Sequence, residues 1–236
     1  MACSDEWQVA GRRKGAARRG KQPSNPKLDS HQVPDCIPDK QKIINAMSEL
    51  RGENFWMEWK DLLSERFLSN ASGSSEQNGD VSLQHCVCYE REALKELGFI
   101  VLTENEEGKR AVYQPTLFYL MHCGKALYNN LLWRNWTPQM LKKILIIGNS
   151  FHGIQERMLQ REFERDYSFL SNVISVCDEA SLPCSPRFLD VFNDTALIQF
   201  PLENLNKLPE SIWTEPSEPL YQHCQDLEII QKEKKN

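Results

Sequence analysis

The chain reads as an α/β protein, a Rossmann-like three-layer domain with a mostly parallel sheet, preceded by a disordered basic tail and a helical pair. Three observations predict it. From Val81 onward, short apolar runs alternate with segments of helical periodicity, the pattern of a parallel sheet with helices on its faces. One run, Ile144 to Gly148 (ILIIG), is four apolar residues closed by glycine, as expected of a strand covered on both sides. The stretch from Thr116 to Phe151 reads as strand, polar corner, helix, short helix, strand and second polar corner. It delivers His122 and Cys123, then Asn149 and Ser150, at strand C-terminal ends. Ligands of open α/β sheets bind outside those ends.

The 236 residues suit one full domain with some extra. Met1 to Lys27 carries seven Lys/Arg against Asp5 and Glu6, a balance of +5, which leaves −10 for the rest of a chain whose total is −5. An acidic body argues against nucleic-acid binding by the folded part, and only the tail could make weak contacts. No apolar run approaches the ~20 residues that span a bilayer, and the N-terminal charges are not followed by a signal-peptide core. The expectation is an intracellular protein, cytoplasmic and possibly nuclear, with no membrane association. Eight scattered cysteines read as free thiols in a reducing compartment.

In chain order, residues 1–38 are rich in Arg, Lys, Gly, Ser and Pro and predict a disordered tail. Its run Gly11 to Lys21 has the composition of a nuclear-localisation or RNA-contacting patch, although a solvated basic tail is the commoner meaning. Residues 39–70 hold two helical patterns separated by Gly52: Ile43, Ile44, Met47 and Leu50, then Phe55, Trp59, Leu62, Leu63 and Phe67. Such stripes either pack on the main domain or enter a partner's groove. Residues 71–82 read as a polar linker.

The α/β domain is expected over residues 83–220, with a polar tail over 221–236. His85 to Tyr89 predicts a short strand, and Glu90 to Gly98 a brief helix with Gly98 at C′. Phe99 to Glu104 is a strand, and Gly108 marks a turn. Thr116 to His122 is the next strand, with Gly124 supplying its exit. Ala126, Leu127, Asn130 and Leu131 form a helical stripe. Thr137 and Pro138 make an N-cap and first helical position. Phe151 begins a long amphipathic segment that breaks near Asp166. Thr195 to Phe200 is the last of about five strands, with a short helix behind it.

Candidate chemistry sits at the corners. His122 beside Cys123 could be base and nucleophile, or haem or metal ligands. Neighbours in a strand point to opposite faces, so pairing them requires a bend. Gly148-Asn149-Ser150 could offer N–H groups and a hydroxyl to an anion, or Asn149 or Ser150 could simply cap the next helix. Ile154 stands where a phosphate-binding loop needs lysine. Asn193, Asp194 and Thr195 form a third corner, read as a turn. His85, Cys86 and Cys88 lack the second ligand pair of a structural zinc site, so no metal is expected.

The pieces VLTENEEGKR, TLFYLMHCGKALYNNLLWRNW, ILIIGNSF, VFNDTALIQFP and DLEII closely resemble the sensitivity-to-red-light-reduced family, in particular its animal SRR-like members. The resemblance implies a Rossmann-like α/β domain and a regulatory role. That role is in circadian clock gene expression and light signalling, and in animals also in haem biosynthesis. It identifies His122, Cys123, Tyr128, Asn129, Asn130, Asn149, Ser150, Asn193 and Asp194 as characteristic positions without assigning them roles. Family members follow a VCY strand with a glycine-containing loop, a helix and a second strand. Here Val87-Cys88-Tyr89 runs straight into Glu90, so one βαβ step is expected to be missing.

The leading expectation is a non-enzymatic regulator acting through protein partners. The alternative is a cofactor- or nucleotide-binding enzyme with its site at the strand ends, its cofactor and catalytic residues unknown. Direct haem sensing through His122 or Cys123 is a third reading, lowered by the absence of a Cys-Pro dipeptide.

Overall fold

The computed structural model describes residues 37–70, 82–83, 94–102, 104–214, 216–224 and 227. The expected basic tail, the linker, the His85 to Tyr89 strand and the site of the missing step lie outside these residues. So does most of the expected polar tail. The described residues all fall within one compact unit.

Two helices come first, α1 (Ile37–Arg51) and α2 (Asn54–Asn70), separated at Gly52 as their two apolar stripes predict. A small parallel pair follows, β1 (Ser82–Leu83) with β2 (Ile100–Val101). Gly98 stands before β2 at φ 88°, where the Phe99 N–H bonds Leu94 O at 3.0 Å. It is the left-handed helix terminator that the sequence predicts.

The main sheet has four strands: β3 (Thr116–Leu120), β4 (Ile144–Asn149), β5 (Asp178–Ser181) and β6 (Thr195–Gln199), in the order β3-β4-β6-β5. β3 and β4 are parallel, joined through α3 (Lys125–Arg134) and α4 (Pro138–Leu141). β6 runs antiparallel to both β4 and β5. The sheet is therefore mixed rather than mostly parallel. The crossover from β4 runs through α5 (Phe151–Glu156), α6 (Gln160–Asp166) and α7 (Ser168–Val173), and it sets β5 one strand-width away from β4. The chain then turns back through a 3-10 turn (Pro186–Phe188) and α8 (Leu189–Phe192) to fill the gap with a reversed strand. A return of this length does not need the crossover that a parallel strand would require.

Alternation along the central strands feeds two cores. Ile144 and Ile146 of β4, with Ala196 and Ile198 of β6, join α3 and α7 in the larger one. Leu145, Ile147 and Leu197 face the other way, where α2 and α8 cover them with Phe55, Trp59 and Phe192. Phe55 and Trp59 are 5% and 3% exposed, and the Trp59 indole N–H donates to Pro183 O at 2.7 Å. Phe55 and Trp59 of the helical pair thus belong to a layer of the fold and are not free for a partner's groove. The sandwich of helices, sheet and helices agrees with a three-layer α/β reading.

On the larger core's side, Asn135 closes α3. Its Nδ2 donates to Leu131 O and Arg110 O, and its Oδ1 accepts the Val112 N–H at 2.8 Å. The end of α3 and the approach to β3 are thereby stapled together. Thr137 caps α4 by accepting the Met140 N–H, with Pro138 at the first helical position. The amphipathic segment after β4 breaks twice, after α5 as well as at Tyr167, and Leu159 in the first break is 68% exposed.

Candidate functional site

The strand ends meet as a polar corner. β3 closes at Leu120, and the chain turns at His122, whose φ is 55°, in the left-handed region. Gly124, expected to supply this bend, has an ordinary φ of −65° at the start of α3. Asn149 supports the unusual conformation: its Oδ1 accepts the His122 N–H at 3.0 Å, and its Nδ2 reaches Cys123 O at 3.4 Å. A non-glycine residue held at positive φ costs free energy that such bonds offset.

Tyr128 ties the same corner from below. Its hydroxyl accepts the Asn149 N–H at 2.9 Å and donates to Leu120 O. The ring lies so close under β4 that a Cβ on Gly148 would sit 2.7 Å from the hydroxyl oxygen. Glycine closes the apolar run because the tyrosine occupies the space a side chain would need. Burial raises the Tyr128 pKa and keeps the hydroxyl a donor.

Ser150 is the N-cap of α5, accepting the Gly153 N–H at 2.9 Å through Oγ. The Ser150 hydroxyl hydrogen and the next two N–H groups of this turn go to Glu179 of β5. Its carboxylate accepts from Ser150 Oγ at 2.5 Å and from the Phe151 N–H at 2.9 Å, with the His152 N–H at 3.4 Å and His152 Nδ1 at 3.1 Å. The anion offered to Gly148-Asn149-Ser150 is thus a carboxylate of the chain itself, its side chain 7% exposed. Ser150, His152 and Glu179 do not form a relay, because serine and histidine bond the same carboxylate rather than each other. Nor is Ser150 strained as a nucleophile elbow is, with φ −53° and ψ 127°.

His122, Asn149, Asn193 and Asp194 line a cleft of about 250 Å³, together with Arg157 and Thr195. Arg157 pairs with Asp194 at 2.6 Å, and Asp194 O accepts the Ser150 N–H at 2.9 Å. Thr195 is 4% exposed, and its Oγ1 has no hydrogen-bond partner among the described residues. Cys123 is half-buried beside the larger core, and burial pushes its thiol up to about 11. It is protonated at neutral pH and not poised as a nucleophile. No group of three or more His, Cys, Asp or Glu placed to hold a metal occurs among the described residues.

Asn129 and Asn130 do not join this cleft. Both are fully buried in α3. Asn129 Oδ1 accepts the Phe169 and Leu170 N–H groups at 3.1 and 3.2 Å, capping α7 across the core. Asn130 Nδ2 donates to Glu107 O at 2.7 Å. Each turns its other amide atom to the hydroxyl of Tyr221.

Two participants escape the sequence reading. Glu179 lies in a polar stretch with no apolar alternation to announce β5. Arg157 looks like one of several charges on a helix's solvent face. Nothing local marks either residue, because their partners are 27 or more positions away.

Comparison with known proteins adds a family. The SRR1 domain model matches residues 77–199. The chain is 50% identical over 101 residues to the SRR1-like protein of Mus musculus, covering 39% of this chain and 41% of that one. It is 32% identical over 126 residues to the SRR1-like protein of Drosophila melanogaster, covering 53% and 44%. With the Arabidopsis thaliana protein Sensitivity to Red Light Reduced 1 it shares 45% identity over 65 residues, 28% of this chain and 24% of that one. The chain thus spans less than half the length of these relatives. No solved structure matches it.

Proposed function

Because the chain belongs to the SRR1 domain family, we propose that it is a regulatory protein acting through protein partners in circadian clock gene expression and haem biosynthesis, in cytoplasm and nucleus. One observation carries the regulatory reading over an enzymatic one. The polar groups at the strand ends are largely bonded to one another, with Glu179 in the anion seat and Tyr128 and Asn149 joined across the turn. An arrangement of this kind fixes a surface for recognition. The name of the Arabidopsis relative refers to sensitivity to red light, in keeping with a signalling role. The Rossmann-like reading of the fold rests on the parallel β3–α3–β4 crossover.

Haem regulation on this reading runs through partners. Cys123 keeps its proton, and a cleft of about 250 Å³ does not enclose a porphyrin. The deciding experiment is to express the chain in cells deprived of their own SRR1-like protein. Clock-reporter period and haem content are then followed. Restoration of either supports the reading, and restoration of neither by a folded, expressed chain rules it out.

A second reading, a small-molecule or nucleotide cofactor in the cleft, is favoured by the convergence of His122, Asn149, Asn193 and Asp194 on its lining. Thermal unfolding with S-adenosylmethionine and nicotinamide cofactors tests it, since a ligand of the native state raises the melting temperature.

A further inference from the structure

The segment from Pro216 to Cys224 has no regular secondary structure and crosses α3 as a strap. Ser217, Glu218, Leu220, Gln222 and His223 are exposed, whereas Tyr221 is 8% exposed. Its backbone is left-handed, at φ 50°. The hydroxyl donates to Asn130 Oδ1 at 2.7 Å and accepts from Asn129 Nδ2 at 3.0 Å, with Ala126 O at 3.2 Å as an alternative acceptor. Its ring packs against Tyr167 at 5.8 Å.

The seat that receives this hydroxyl is built without it. Asn129 Oδ1 is committed to the first turn of α7, which aims Nδ2 at the seat. Asn130 Nδ2 is committed to Glu107 O, which aims Oδ1 there. One fixed donor and one fixed acceptor therefore face a single buried point. A hydroxyl satisfies both at once, whereas a carbonyl or an ammonium satisfies one.

The strap is held lightly. Outside Tyr221, Cys224 packs against the larger core and the other ties are polar: Trp133 Nε1 to Pro216 O at 3.1 Å, Lys109 to Glu218 at 2.6 Å, and Tyr167 OH with Cys224 Sγ at 3.6 Å. A cavity of about 380 Å³ lies between the strap and Arg165, Asp166 and Phe169. Exposed, irregular backbone of this kind opens at lower free energy than the helices beneath it.

We propose that Asn129 and Asn130 form a tyrosine-hydroxyl seat, that Tyr221 occupies it in cis, and that the strap is displaceable by a partner segment presenting a tyrosine. The inference stands apart from the cleft at the strand ends and does not depend on a ligand there.

The test uses the full chain carrying Tyr221→Ala and a fluorescent peptide of residues 217–224 with Cys224→Ser. The variant binds the peptide about tenfold tighter than the unaltered chain does, and a peptide with phenylalanine for the tyrosine loses about as much. A folded Tyr221→Ala chain that ignores the peptide overturns the proposal. So does loss of its cooperative melt, which would make the strap part of the core. Hydrogen exchange on the unaltered chain is a separate check, with strap amides exchanging about a hundredfold faster than those of α3. Equal protection overturns the proposal.

Discussion

Glu179 lies in β5 and Ser150 directly follows β4, a strand that is not its neighbour in the sheet, yet their side chains meet at 2.5 Å across the start of α5. The same carboxylate takes the Phe151 N–H, so a residue of β5 completes the turn that follows β4. The third side of the corner is the turn into β6, where Asp194 O, just before Thr195, receives the Ser150 N–H. Three separate pieces of chain thus fix one turn.

The hydroxyl of Tyr128 is a bridge, and removing it has a measurable cost. Tyr128→Phe leaves the Asn149 N–H and one acceptor position of Leu120 O without their partner. The expected loss is about 1–3 kcal/mol in urea unfolding. Gly148→Ala drives a Cβ into the same hydroxyl and costs about 1–3 kcal/mol by overpacking. The double variant loses less than the two single costs together, because the oxygen nearest the new methyl is gone.

Trp59 is a second point of failure, on the opposite face of the sheet. It packs edge-on to Phe192 at 5.3 Å and T-shaped to Phe55 at 5.8 Å. Trp59→Ala is expected to cost about 3–5 kcal/mol. If α2 were a detachable partner-binding arm instead, the chemical melt would barely move.

The buried thiols set the alkaline behaviour. Burial pushes Cys123 up to about 11 and Cys177 up to about 12, from an ordinary value of 9.0. At pH 8, iodoacetamide labels Cys123 about a hundredfold and Cys177 about a thousandfold more slowly in the folded chain than in urea. Above pH 9 the unfolded state sheds these protons before the folded one does. Their contribution to stability is therefore complete below about 9 and declines as pH rises through 11 and 12. A pH series of urea melts reads that decline directly.

How far the sequence carries is visible at single residues. Thr137-Pro138, Gly98 and Ser150 are legible because capping is local chemistry. Ile144 to Gly148 is legible because a strand buried on both faces has no polar side to show. The reversed direction of β6 is not legible, since an apolar run such as Thr195 to Phe200 reads alike either way. β5 carries Asp178 and Glu179 on a sheet edge and lacks any apolar signal. The bend at His122 is hidden as well. Nothing in its type announces positive φ, and the amide that supports it is 27 residues away. Of the candidate positions, His122, Asn149, Asn193 and Asp194 converge on the cleft, while Asn129 and Asn130 serve the α3–α7 packing.

The polar corner at the strand ends holds the fold together. The most direct measurement is the urea unfolding free energy of Glu179→Gln beside the unaltered chain. The amide keeps the shape but must turn a donor toward either Ser150 or the Phe151 N–H, and the expected loss is about 1–3 kcal/mol. A variant as stable as the parent, or more stable, would contradict it, that being the mark of a residue kept for activity at the expense of stability.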